Sequence, residues 1–106
     1  MERICISFNI KQGSKEEYVR RHNEIWPELV DLMIQYGFSN QTIFINDTTV
    51  IAYLECDGDY LEQAEKFGKE QISIAWQEYF DDIIIDSIED GISTRYVSFE
   101  EVWHLE

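Results

Sequence analysis

NQTIFINDTTVIAYLEC, residues 40–56, decides the fold of this chain. Two β-rich runs, NQTIFIN and TVIAYLEC, meet at Asn46-Asp47-Thr48, so an antiparallel hairpin is predicted here. In VIAYL, residues 50–54, apolar side chains follow one another without alternation. Such a run points apolar groups to both faces of a sheet, whereas a half-exposed strand alternates. One face is therefore expected to carry helices, and the other needs a cover of its own.

The flanking sequence supplies the remaining elements. RICISFNI, residues 3–10, sets Ile4, Ile6, Phe8 and Ile10 against Arg3, Cys5, Ser7 and Asn9, the period of a strand with one face in the core. Ser14 and Glu17 form a capping-box pair, and Gly37 is a natural stop, so one helix is predicted from Ser14 to Tyr36. Asp59 caps a second helix through Phe67, ended by Gly68, and QISIAWQEYFDD, residues 71–82, gives another helical piece with Ile72, Trp76, Tyr79 and Phe80 near one face. FEEVWHL, residues 99–105, reads as a last strand. The stretch 83–96 reads as a loop: IIID extends the helix or begins a strand, and EDGIS is turn material. The order βαββαβ is that of an α+β, ferredoxin-like sandwich, an antiparallel sheet with helices on one face. At 106 residues, with no internal repeat, a single domain over 1–106 is expected. A second sheet packed on the uncovered face would bury it, which makes a homodimer the expected assembly.

Charge narrows the function. With 22 acidic and 8 basic residues the net charge is −14, which repels phosphate backbones and anionic lipid, so nucleic acid and membrane partners are not expected. No apolar run approaches the ~20 residues needed to span a bilayer. MERICISFNIKQG lacks the basic start and long apolar centre of a signal peptide, so a cytoplasmic address is expected. Cys5 and Cys56 lie far apart in strand-like stretches and are expected as free thiols; no CxxC pair indicates a structural zinc site.

SKEEYVRRHNEIWPEL, residues 14–29, holds the chemistry. Tyr18, Ile25, Leu29, Leu32 and Tyr36 recur at threes, fours and sevens on the face expected to meet the sheet, while Glu17, Arg20, Arg21, Glu24, Glu28 and Asp31 line the opposite face. His22 falls on the apolar side, where a leucine would serve the core better and an imidazole must find hydrogen-bond partners. Two readings stand: a structural histidine bonded to Tyr18 or to a carbonyl, or a helix end lining a cavity. Pro27 favours the second by bending the helix beside His22. Trp26 drifts to the flank of the same face, as core or as a third ring beside the phenol and the imidazole.

An imidazole titrating near neutrality suits proton movement between oxygens, and aromatic-plus-polar pockets suit carbohydrate rings. No serine or cysteine stands in a nucleophile context, there is no glycine-rich phosphate loop, and His104 has no spacing to His22 that marks a metal pair.

EEYVRRHNEIWPEL resembles the signature of the L-rhamnose mutarotase family, E-Y-x-x-R-H-N-x-I-W-P-E-L. The IFIN strand with the strand after it, Trp76 before the final loop, and EVWHL near the end, which resembles E-V-F-H-L, extend the likeness in order over nearly the whole chain. The resemblance implies a dimeric ferredoxin-like α/β barrel and a cofactor-free enzyme interconverting the α and β anomers of L-rhamnose, with no metal. It places the family's proton donor on His22 and its substrate-contacting tyrosine and tryptophan on Tyr18 and Trp76. Protonation of the ring oxygen while a base takes the anomeric hydroxyl proton would open the ring, and reversed roles would close it on the other face. The counterpart of His22 stays open among Tyr18, a water, a sugar hydroxyl and a carboxylate of a neighbouring subunit.

Two positions depart from the family pattern. Gln41 stands where a tyrosine is common, and Gln77 where a second tryptophan follows the first. Each exchanges a stacking ring for an amide, which leaves open a sugar more polar than a 6-deoxyhexose or of different configuration. The rival readings are a sugar-binding sensor of the same fold without turnover and, by fold analogy alone, a cofactor-independent oxygenase.

Overall fold

The computed structural model describes the backbone of residues 1–89 and 92–106, and side chains outside 87–94. The elements follow as β1 (Glu2–Ile10), α1 (Lys15–Asn23), α2 (Pro27–Gln35), β2 (Phe38–Asn46), β3 (Thr49–Cys56), α3 (Tyr60–Gly68), α4 (Gln71–Tyr79), β4 (Ile84–Ile85), β5 (Ser87–Glu89), β6 (Ile92–Thr94) and β7 (Val97–Phe99). The antiparallel sheet runs in the order β2-β3-β1-β4, and β7 shares with β4 the far edge of β1. β1 pairs with β3 from Glu2↔Cys56 to Asn9↔Thr49. On its other edge it meets Ile85 through Asn9 and Phe99 through Cys5. This is the α+β, ferredoxin-like arrangement expected from the order of elements.

The register sorts the side chains. Phe8 opposes Val50 and Ile6 opposes Ala52, all on the helix side; Ile43 and Ile45 of β2 continue that face. Phe8, Ile10, Val50, Tyr18, Phe80, Ile83 and Ile84 form the buried core, with Ala52 and Trp76 packed against it. Ser7 opposes Ile51 and Phe44 opposes Ile51 from the other side, so these belong to the second face. Apolar side chains do point both ways, and Phe44 on the uncovered face is 59% exposed.

Several expectations need correction. The helix drawn from Ser14 to Tyr36 is two helices: α1 ends at Asn23, Trp26 is extended, and Pro27 opens α2. Proline at a first helical position costs nothing, since its missing N–H would have had no partner there, so the chain breaks before it instead of bending through it. Ser14 does precede α1, but its hydroxyl bonds the Lys11 carbonyl and no capping box forms. Glu17 is drawn instead to the guanidinium groups of Arg20 and Arg21, whose charge-assisted bonds outweigh a backbone amide. The cap at Asp59 forms, accepting from the Glu62 amide at 3.2 Å.

Gly37 ends α2 with φ +82°, where a Cβ would stand 2.8 Å from the Asp57 carbonyl oxygen; its own carbonyl accepts from the Asp57 amide. The loop expected over 83–96 contains β4, β5, β6 and the start of the segment leading to β7. Ile83 and Ile84 are core residues, so IIID begins a strand because its apolar side chains find room beside Ile10. Asp90 and Gly91, read as part of a turn, lie outside the described residues. The last strand covers Val97–Phe99, not 99–105. Beyond it Arg3 holds Glu101 at 2.6 Å and so continues the register in side chains alone, while Trp103 is 76% exposed. Val102 and Leu105 are largely exposed as well, so the tail buries little apolar surface where it lies.

Candidate active site

Position four after Tyr18 on α1 puts His22 directly above it, ring centroids 4.4 Å apart. Its Nδ1 lies 3.0 Å from the Tyr18 carbonyl, so Nδ1 carries a hydrogen and donates it. In the neutral ring this leaves the lone pair on Nε2. No buried side-chain nitrogen or oxygen among the described residues lacks a partner, so Nε2 is not sealed in the core, and His22 lines the cavity described below. The Tyr18 carbonyl fixes the tautomer, and the residue lines a cavity. Burial lowers its pKa below the ordinary value, against the smaller raising effect of the carbonyl bond. At neutral pH the ring is a base.

Around His22 stand Trp76 at 5.4 Å and Phe80 at 5.1 Å, both reached from α4 and its C-terminal turn. Tyr18, only 3% exposed, lies 5.4 Å from Phe80, and burial raises its pKa so far that the phenol stays protonated. A cavity of about 250 Å³ between the helices and the sheet is lined by Tyr18, His22, Gln41, Trp76, Gln77 and Tyr96, among others. It falls below the roughly 300–1,000 Å³ of sites for drug-sized ligands, a size suited to a single sugar ring. A larger cavity, about 520 Å³, lies against the uncovered face beside Tyr53 and Phe99, away from His22. Chemistry, not volume, selects the smaller one.

The three residues singled out in the sequence, Tyr18, His22 and Trp76, line this one cavity, and Gln41 and Gln77 line it too. Gln41 reaches it through a bulge: the β2–β3 register shifts between Ser39 and Thr42, with Asn40 at φ +50°. Its amide donates to the Met33 sulfur at 3.1 Å, and that of Gln77 to the Ser73 hydroxyl at 3.3 Å. Trp26 does not line the cavity. It stacks on Tyr79 at 5.8 Å and meets Trp76 edge-on at 5.0 Å, buttressing the wall from behind. His104 lies in the exposed tail, and among the described residues no three His, Cys, Asp or Glu converge as a metal site.

Arg21, assigned by periodicity to the solvent face, is 8% exposed. It bonds Glu17, both carboxylate oxygens of Asp82 and the Tyr79 carbonyl, with its guanidinium 4.4 Å from the Tyr79 ring centre. These partners hold its pKa above the ordinary range, the Asp82 bond most. It fastens α1 to the end of α4 and so sets His22 against Trp76. No local pattern signals this, because Asp82 is distant in sequence. Tyr96 was missed as well, inside a segment read as loop.

The whole chain takes part in the comparisons with known proteins. The family model for L-rhamnose mutarotase matches residues 3–105. L-rhamnose mutarotases from Lachnoclostridium phytofermentans and Lactiplantibacillus plantarum are 31% and 37% identical, each alignment covering 100% of both chains. The crystal structure of an L-rhamnose mutarotase from Formosa agariphila superposes with a TM-score of 0.80 at 28% identity over 100% of both chains. A tetracenomycin F2 cyclase from Streptomyces glaucescens reaches a TM-score of 0.74 at 12% identity, a likeness of fold alone. With its His22 cavity assembled from the matched segments, this chain belongs to the L-rhamnose mutarotase family.

Proposed function

We propose that the protein is an aldose mutarotase, interconverting the α and β anomers of L-rhamnose or a related sugar, with His22 as its acid/base group. One observation carries the chemistry: an imidazole whose Nδ1 is tied to a carbonyl lines a sugar-sized aromatic cavity. Neutral His22 takes the proton of the anomeric hydroxyl. The C1–O5 bond then breaks as C1=O forms, and O5 receives a proton from a second donor. After rotation about C1–C2, O5 attacks the other face of the aldehyde, returns its proton, and the imidazolium reprotonates the anomeric oxygen. Trp76 offers a ring face to the sugar, and Tyr18 a phenol that keeps its proton. Family membership supports the reaction, and Gln41 and Gln77 bear on which aldose is preferred.

The same reading includes a homodimer and a cytoplasmic address. Phe44, Ile51, Val97 and Phe99 are exposed on the uncovered face, joined by Val102, Trp103 and Leu105 of the tail, a surface that a second copy would bury.

Saturation transfer between the anomeric protons of L-rhamnose, measured by NMR with catalytic protein, tests the reaction directly. Exchange is expected with the native chain and is expected to fall to the spontaneous rate in His22→Ala with the fold retained. Saturable binding of sugars with no exchange for L-rhamnose, L-fucose, L-lyxose, D-galactose or D-glucose would favour the sensor instead.

A further inference from the structure

The bulge in β2 decides which of its residues walls the cavity of His22. Ser39 opposes Glu55 and Thr42 opposes Tyr53, so Asn40 and Gln41 together stand against Leu54. Alternation on either side of the bulge fixes the faces. Phe38, buried opposite Cys56, belongs to the helix side and Ser39 to the second face, while beyond the bulge Ile43 opposes Ala52 on the helix side again. Counted on from Phe38 without an extra residue, Gln41 would fall on the second face; with one, it is in step with Ile43 and lines the cavity.

Asn40 is the inserted residue, and no turn explains its conformation. Among the described residues, Asn40 and Asp47 are the non-glycine ones of positive φ, at +50° and +56°. Asp47 sits in the hairpin turn, where such a backbone is ordinary, whereas Asn40 lies inside a strand. Side-chain bonds hold it there. Its Nδ2 donates to Glu55 Oε1 at 2.9 Å, and its carbonyl accepts from the Thr42 hydroxyl at 3.3 Å. A carboxylate only accepts, so the nitrogen end of the amide is the one that meets Glu55. Glu55 is anchored in turn: its other oxygen accepts from the Tyr53 hydroxyl at 2.8 Å, and Arg3 opposes it across the β1–β3 ladder. The Asn40 bond first, and that of Tyr53 after it, holds the Glu55 carboxyl below the ordinary range, so the acceptor is charged at neutral pH. On the other side of the bulge, Gln41 is tied to Met33 of α2.

We propose that Asn40 is a positioning residue for sugar binding: clamped by Glu55 on the second face, it holds the bulge that keeps Gln41 in the cavity wall, and so sets the affinity for the aldose. This rests on the mutarotase reading for the class of ligand.

The test is anomer exchange by saturation-transfer NMR, with KM and kcat determined for the native chain, Asn40→Asp, Glu55→Gln and the double variant. Asn40→Asp keeps a side chain that tolerates positive φ but sets a second carboxylate against Glu55. KM for L-rhamnose is expected to rise about 5-fold with kcat near its native value. The double variant exchanges donor and acceptor, an amide at 55 donating to a carboxylate at 40, and KM should return to within about 2-fold of native. In a Gln41→Ala background Asn40→Asp should change KM no further, a coupling that a general loss of stability would not reproduce. A native KM in Asn40→Asp, no recovery in the double variant, or an undiminished effect in the Gln41→Ala background would each overturn the assignment. If Asn40→Asp does not fold, Asn40→Gly decides, since glycine accepts the backbone and removes only the clamp: a raised KM supports the role and a native one overturns it. If the native chain exchanges no anomers, calorimetric titration of L-rhamnose gives Kd in place of KM; weaker binding by Asn40→Asp then leaves the positioning role standing and removes the mutarotase reading. A native chain that binds none of the sugars tested for exchange overturns both.

Discussion

His22 is worth considering as two nitrogens. Nδ1 donates to the Tyr18 carbonyl four residues back, a bond internal to α1 that fixes the tautomer wherever the helix packs. Nε2 acquires its role only from what surrounds it. Because burial lowers the imidazole pKa, the catalytic base is the form present above that value. The rate of anomer exchange is therefore expected to rise with pH through an ionisation below the ordinary histidine value of about 6.5 and to level off above it. A profile of kcat/KM against pH checks this, and a limb displaced above the ordinary value would contradict it. The same shift links to folding. With the folded pKa below the unfolded one, the unfolded chain binds more protons in the interval between them, so this contribution to stability is complete above the unfolded value and is lost as pH falls through the folded one.

At the scale of elements, α1 and α4 must be held in one relative position for His22 and Trp76 to share a cavity. Arg21 does this with four hydrogen bonds to Glu17, Tyr79 and Asp82 and with its guanidinium over the Tyr79 ring. Asp82 and Glu17 are themselves partly solvated, so they regain water if Arg21 is lost, and the ion pairs count for less than fully buried ones. The bond to the Tyr79 carbonyl and the packed guanidinium are what solvent does not replace. Arg21→Met is expected to cost about 2 kcal/mol. Urea unfolding should then show a lower midpoint at unchanged slope; a midpoint within error of the native one would show that the fork contributes nothing. The neighbouring break at residues 24–26 follows a local rule. Pro27 is a good first residue of α2 and a poor interior one, and the change of axis that results is what lets Trp26 fall behind Trp76 instead of beside His22.

For the whole molecule, the question is what lies on the second face of the sheet. β1 and β3 present Cys5, Ile51 and Tyr53 there, and the edge strands add Phe44, Val97 and Phe99. The tail that follows β7 carries Val102, Trp103 and Leu105, all largely exposed. Light scattering is expected to give twice the chain mass, and Phe44→Glu should shift the mass toward one chain, because an unpaired carboxylate is costly to bury in an interface. A native protein that runs as a single chain at micromolar concentration would remove the dimer from the proposal.

The sequence by itself determined whatever depends on neighbours a few residues apart. Alternation in β1, the turn between Asn46 and Thr49, the Asp59 cap and the Gly37 stop were all readable, because strand faces, turns and caps are local geometry. So was the placing of Tyr18 beside His22, one helical turn apart. Tertiary structure alone decided the rest. Arg21 is buried only because Asp82 and Tyr79 come to meet it, and IIID becomes a strand only because Ile10 offers an edge. Tyr96 joins the cavity only because β7 returns to β1. The tail after Phe99 shows the converse: its apolar residues read locally as a strand, but burial needs a partner surface, and local pattern cannot supply one.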